Sequence, residues 1–160
     1  VSSPRRLGIQ GGSNGGLLVG AAMTQHPELF RAVVCSYPLL DMLRYHQFFV
    51  ARYWVPEYGS ADDPAQFPAL RAYSPYHHVQ KGVRYPTVLF ITGDGDTRVA
   101  PLHARKMAAL MQATTGSPAD RPVLLHYDTK AGHSGGLPAS KQIEDLTQEM
   151  RFLLWQLGVG

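Results

Sequence analysis

Three short segments carry residue types that could do chemistry together: Gly11-Gly12-Ser13-Asn14-Gly15, Gly93-Asp94-Gly95-Asp96-Thr97-Arg98-Val99 and Ala131-Gly132-His133. A serine hydroxyl is a weak nucleophile at neutral pH. It is activated when an imidazole takes its proton and a carboxylate holds that imidazole in one tautomer. All three groups are present, in the chain order serine, aspartate, histidine. The chemistry they point to is acyl transfer: serine attacks a carbonyl, an acyl-enzyme forms, and water releases it.

Gly11-x-Ser13-x-Gly15 fits the G-x-S-x-G elbow, and the triad order is that of the α/β-hydrolases. The glycines are expected because a tight elbow leaves no room for side chains beside the serine. Ser13 would then open a helix, where free N–H groups favour negative charge, and the Asn14 backbone N–H is the expected oxyanion donor. Asp94 and Asp96 compete for the acid position. Both follow a strand's carboxyl end, where open α/β sheets place their sites. The pattern Gly93-x-x-Asp96-x-x-Val99 favours Asp96 and leaves Asp94 to cap a turn. Of seven histidines, His133 alone lies after the last strand and before the last helix, as the base must. None shows zinc-type spacing, so neither a metal nor a cofactor is expected.

These groups need a scaffold, and the apolar pattern supplies one. Strands are expected at 6–10, 32–37, 87–92 and 123–127, and helices at 17–25, 102–111 and 143–157. Leu17, Leu18, Ala21 and Ala22 are spaced for the buried face of the first helix, which Pro27 stops. A further helix is expected at 42–53, and loops with short helices at 56–85. Alternating strands and helices imply an α/β fold with a parallel sheet flanked by helices.

The 160 residues suit one domain, 1–160, and 44% hydrophobic against 17% charged residues indicates a soluble globular chain. The net charge of +3 is modest, and no basic cluster supports nucleic-acid binding. Cys35 is the only cysteine, which excludes an internal disulfide and suits a buried small hydrophobe. No apolar stretch reaches the roughly 18 residues of a membrane span, and no signal-peptide pattern opens the chain. A cytoplasmic setting is expected, with the periplasm left open.

The quoted segments, together with Gly16-Leu17-Leu18, Asp41-Met42-Leu43, Tyr58-Gly59, Tyr73-Ser74-Pro75, Pro101-Leu102-His103 and Asp128-Thr129-Lys130, resemble the prolyl oligopeptidase family of serine peptidases. The resemblance runs along nearly the whole chain. It implies Ser13, Asp96 and His133 as catalytic residues, and Trp54, Tyr58 and Val99 as walls of a pocket that stacks the substrate proline on an indole. Arg98 would bind a substrate carbonyl. The implied activity is cleavage of peptides after proline. A short-chain carboxylesterase and an inactive fragment or binding module are the alternatives.

The family's β-propeller has no counterpart here, nor do the first strands of its hydrolase sheet, with the tyrosine that gives a second oxyanion donor. The chain therefore reads as a truncated C-terminal half of the catalytic domain, and its start at Val1 as a cut through a larger protein. A first strand without its usual neighbour would expose Leu7 and Ile9. A homo-oligomer is expected, with its interface near that strand and Trp54.

Overall fold

Two apolar runs set the centre of the molecule: residues 32–36 and 87–93 are buried at every position, as parallel strands covered on both faces must be. The computed structural model describes residues 2–133 and 138–159. Its elements are β1 (Gly8–Gly12), α1 (Asn14–Gln25), β2 (Ala32–Ser36), α2 (Val55–Tyr58), α3 (Phe67–Tyr73), α4 (Pro75–His78), β3 (Thr87–Gly93), α5 (Leu102–Thr114), β4 (Val123–Asp128) and α6 (Ala139–Leu157). The four strands are parallel and lie in the order β1-β2-β3-β4. Gly12 pairs with Ser36 and Ser36 with Ile91, so the carboxyl ends of β1 and β2 lie level.

Side chains alternate across the sheet. Val33, Cys35, Val88 and Phe90 pack against Val19 and Met23 of α1 and Met107 and Met111 of α5. Ala32, Val34, Leu89 and Ile91 pack on the other side with Phe152 of α6. Burying each large side chain contributes roughly 1.5–3 kcal/mol. Burial also pushes the Cys35 thiol far up from its ordinary pKa, which leaves it a neutral core group.

Several expected boundaries need correction. The first strand starts at Gly8, not residue 6, because Pro4–Arg6 forms a 3-10 turn closed by the Arg6 N–H on the Ser3 carbonyl at 2.9 Å. It then continues through both elbow glycines. α1 starts at Asn14, and its buried face is Gly16, Leu17, Val19, Gly20, Met23 and Thr24; Leu18 is 70% exposed. Residues 42–53 do not form a helix. They make two 3-10 segments, Tyr45–Gln47 and Phe49–Trp54, because Phe48 is extended and Phe49 sits at φ 48°, which an α-helix cannot accommodate. α6 begins at Ala139, four residues ahead of the apolar period that starts at Ile143.

β1 and β4 are the sheet's edges among the described residues. Leu7 and Ile9 are half-buried rather than exposed, and Ile9 packs onto the main core. Exposed apolar side chains recur instead along α6, where Ile143, Leu146, Met150 and Leu154 are spaced every three or four residues. No described helix is long and apolar enough to cross a membrane.

A buried polar cluster ties the segment after β2 to α5. His103 is 1% exposed, and its Nδ1 accepts the Asp41 N–H at 3.1 Å and the Leu40 N–H at 3.4 Å. Asp41 is fully buried and pairs with Lys106. Burial alone would raise its carboxyl, but Lys106, with His77 and Arg44, holds it below the ordinary carboxylate range. Burial lowers His103 from its ordinary 6.5 to about 4. The unfolded chain thus takes up this proton near pH 6.5, whereas the folded chain resists until about pH 4. Stability from this group is complete above pH 6.5 and lost as the pH falls toward 4, by at most about 3 kcal/mol. Urea unfolding at pH 7.5 and pH 5 should show the loss, and His103→Asn, which keeps an acceptor near the Nδ1 position, should flatten it. An equal pH dependence in both proteins would exclude His103 as the source.

Candidate active site

The elbow is built as the chemistry requires, though only one of the two glycines the motif names is needed for it. Ser13 has φ 57° and ψ −118°, a conformation that costs an L-residue on the order of 1–3 kcal/mol. Its N–H donates to the Ser36 carbonyl at 2.9 Å, and its own carbonyl accepts the Leu17 N–H at 3.2 Å, so it joins β1 to α1. A Cβ at Gly11 would come within 2.2 Å of the Gly15 carbonyl oxygen, and one at Gly16 within 2.7 Å of Pro38. A Cβ at Gly15 would meet nothing within 4 Å. The steric need for glycine therefore falls on 11 and 16. Asn14 is the first residue of α1, so its N–H belongs to the helix's unpaired N-terminal donors.

The acid and histidine loops are laced together by backbone. The Asp94 N–H donates to the Asp128 carbonyl at 2.8 Å, and the Gly95 N–H to the Ala131 carbonyl at 3.0 Å. A Cβ on Gly93 would lie 2.3 Å from that same Ala131 oxygen, so the two loops can approach only over a glycine. Asp96 is 1% exposed. Its Oδ1 accepts the Arg98 and Val99 N–H groups at 2.9 and 2.8 Å, and its Oδ2 accepts from His133 Nδ1 at 2.7 Å. Asp94 points elsewhere: it is exposed and accepts a hydrogen bond from the Tyr127 hydroxyl. The carboxylate that meets His133 is Asp96. No hydrogen bond links the Ser13 hydroxyl to His133 among the described residues; in unliganded enzymes such bonds are often long and tighten with substrate.

Beside Ser13 opens a cavity of about 130 Å³, lined by Ser13, Asn14, Leu39, Trp54, Glu57, Tyr58 and Arg98. The Arg98 guanidinium lies over the Trp54 ring, 5.7 Å from its centroid, and makes no ion pair with Asp96 among the described residues. The Tyr58 hydroxyl donates to Asn14 Oδ1 at 2.8 Å, which joins one pocket wall to the residue after the serine. Tyr45 supports that wall from behind, edge-on to Tyr58 at 5.5 Å. Its hydroxyl donates to the Gly59 carbonyl, and burial raises its pKa to about 12. Val99 is placed differently from expectation: it is 2% exposed and packs in the cluster behind Trp54 and Tyr58, not on the cavity surface.

Leu39 and Glu57 line the cavity although the motifs did not single them out. Their proximity comes from the turn after β2 and from α2, and no local pattern announces either. His77 and His78 end the short helix α4, and His103 is the buried anchor described above. Among the described residues no cluster of three or more His, Cys, Asp or Glu side chains could hold a metal.

Comparison with known proteins agrees with this architecture. The family model for the prolyl oligopeptidase family matches residues 1–160. A prolyl endopeptidase of Dictyostelium discoideum is 38% identical over 159 residues, which is 99% of this chain and 21% of that protein. An uncharacterised peptidase of Sinorhizobium fredii is 53% identical over 70% of the chain and 15% of its own length. A structure from a study of two prolyl endopeptidases superposes with a TM-score of 0.94 at 53% identity, covering 99% of this chain and 23% of that one. Prolyl oligopeptidase B of Galerina marginata, bound to a 35mer hydrolysis and macrocyclization substrate, gives 0.89 at 32% identity over 97% of this chain and 22% of its own. The chain thus spans about a fifth of the length of these relatives. With an α/β-hydrolase sheet, a strained serine elbow and a family match from end to end, the chain belongs to the prolyl oligopeptidase family of serine peptidases.

Proposed function

We propose that this chain carries the triad of a serine peptidase that cleaves peptides on the carboxyl side of proline. The observation that carries the reading is the cavity itself, which brings Ser13 and the half-buried Trp54 indole into one small space. A flat apolar indole suits a proline ring, which presents no N–H to satisfy. Ser13 Oγ bonds to the carbonyl carbon while its proton passes to His133 Nε2. Asp96 holds Nδ1 and stabilises the imidazolium, and the Asn14 N–H faces the developing oxyanion. The C–N bond then breaks as His133 returns the proton to the leaving amine, and water hydrolyses the acyl-enzyme with His133 as base. Arg98, beside Trp54, is suited to a substrate carbonyl.

Turnover of a proline-peptide amide, its alanine counterpart and a short p-nitrophenyl ester tests this in the intact protein. The proline amide should be preferred over alanine, and Trp54→Ala should lower its kcat/KM about 10–100-fold. Hydrolysis of the ester with no proline preference would assign the site to a carboxylesterase.

The proposal extends to assembly. Two surfaces could take part: the β1 edge, and the exposed apolar residues Ile143, Leu146, Met150 and Leu154 of α6. A second copy of the chain could cover both surfaces, and parallel sheets are seldom left open. Light scattering across a dilution series should show dimers or larger species; a monomer at every concentration would remove this part of the proposal.

A further inference from the structure

Tyr37 is the first residue beyond β2, and it is one of three non-glycine residues with positive φ among those described, at 48°. The others are Ser13 and Phe49. Glycine or asparagine would hold this backbone with less strain, so the conformation gives no reason for tyrosine. The ring does. Tyr37 is 9% exposed and packs with Val34, Leu89, Ile91 and Phe152. Its backbone is pinned by an N–H donated to the Ile91 carbonyl at 2.7 Å, and the carbonyl just before it, on Ser36, accepts the Ser13 N–H. From this fixed point the ring reaches His133 edge-on, with centroids 5.5 Å apart and planes at 62°.

His133 needs such a contact. Its hydrogen bond to Asp96 fixes one ring nitrogen but leaves the imidazole free to swing about that Nδ1···Oδ2 line. A second contact away from that line is required to aim Nε2 in one direction, and an aromatic edge against a ring face supplies it. Tyr37 does not compete as a base. Burial first, and then Asp145, Glu149 and Asp128 against the opposing Lys141, push its phenol above the ordinary value, so it stays neutral.

We propose that Tyr37 is a positioning residue for His133: its ring sets the imidazole plane, so that the histidine bonded to Asp96 also presents Nε2 to Ser13. This rests on the triad proposed above. It is a role for a residue outside the serine, acid and histidine motifs, carried by the same β2 end that anchors the elbow.

The test compares Tyr37→Phe, which keeps the ring, with Tyr37→Leu, which keeps apolar bulk without it. An edge-on aromatic contact corresponds to about a 2–12-fold effect on a rate that depends on it. Tyr37→Leu should therefore lower kcat for a proline amide about 5–10-fold with KM nearly unchanged, and Tyr37→Phe should stay within about 2-fold of the parent. The loss on an activated p-nitrophenyl ester should be smaller, because a good leaving group needs little protonation by the imidazole. A general loss of folded protein would depress both substrates equally.

Proton NMR of the deshielded His133 Nδ1–H gives a readout independent of turnover. The signal should be sharp in the parent and Tyr37→Phe, and broadened or lost in Tyr37→Leu. Tyr37→Asn, which tolerates the backbone and lacks the ring, repeats both measurements should the leucine variant misfold. An unchanged Nδ1–H signal in the ringless variants, or equal losses on amide and ester, overturns the proposal. A parent protein that neither turns over nor reacts with a fluorophosphonate would sink the hydrolase reading instead, while the Nδ1–H signal still decides the role of Tyr37.

Discussion

Ser13→Ala and His133→Ala are each expected to lower kcat for a proline amide by about 10⁶, while the protein stays folded. The two losses should be alike because the groups act as a unit: a serine without its base keeps its proton, and a base without its nucleophile has nothing to activate. Removing both should cost little more than removing one. Such non-additivity distinguishes a catalytic pair from two residues that each merely bind substrate, whose effects would add. The residual rate would reflect the Asn14 N–H and the pocket alone. His126→Ala, in β4, serves as the control and should stay within a few-fold of the parent. A fluorophosphonate should label the parent at Ser13 and leave Ser13→Ala unlabelled. A folded Ser13→Ala protein with undiminished turnover would end the triad mechanism.

Much of this scaffold is legible in the amino-acid sequence. Residues 32–35 and 88–91 are apolar without alternation and rich in β-branched side chains, the pattern of a strand covered on both faces, and they lie at the sheet's centre. The elbow was harder to bound. Glycine propensity argues for a turn from Gly11 onward, yet Gly11 and Gly12 pair with Cys35 and Ser36 as strand, and Gly15 and Gly16 already belong to α1. Tertiary contact overrode propensity there, since only a glycine at 11 lets the helix start pass so close. Residues 42–53 depart from expectation for a different reason: their apolar spacing resembles a helix, but the positive φ at Phe49 is invisible in the spacing. For α6 the periodic apolar residues face solvent, while Leu153 and Leu157 pack with the buried Phe152. Periodicity identified the helix without identifying which face is covered.

The site divides in the same way. Ser13, Asp96 and His133 stand in motifs whose spacing reflects local backbone demands, so they can be found one loop at a time. Leu39 and Tyr37 reach the site because β2 and its neighbours end at one level, a property of the whole sheet, and Glu57 reaches it from α2. A tyrosine after an apolar run has no signature of its own. Val99 shows the converse. The family resemblance made it a candidate wall, and the turn that brings its N–H to Asp96 carries its side chain into the core instead.

Asp96→Asn is expected to lower kcat/KM by about 10⁴, and Asp94→Asn to change it less than about 2-fold. The asymmetry follows from the hydrogen bonds. Asp96 uses Oδ1 for the Arg98 and Val99 N–H groups and Oδ2 for His133. An asparagine at 96 would keep its carbonyl oxygen toward the two backbone donors, which need an acceptor, and so turn its NH₂ toward His133 Nδ1. The imidazole must then accept at Nδ1 and carry its proton on Nε2, the nitrogen that faces the serine. In that tautomer it cannot take the Ser13 proton, although every heavy atom keeps its place. The thermal midpoint should therefore fall far less than the activity does. Asp94 carries no such constraint: it is exposed, its carboxylate accepts from Tyr127, and an amide oxygen can accept that bond equally well. Steady-state kinetics with parallel melting curves would read both variants. A severe loss in Asp94→Asn with Asp96→Asn nearly unaffected would move the acid of the triad to Asp94 and make the 2.7 Å contact with His133 incidental to catalysis.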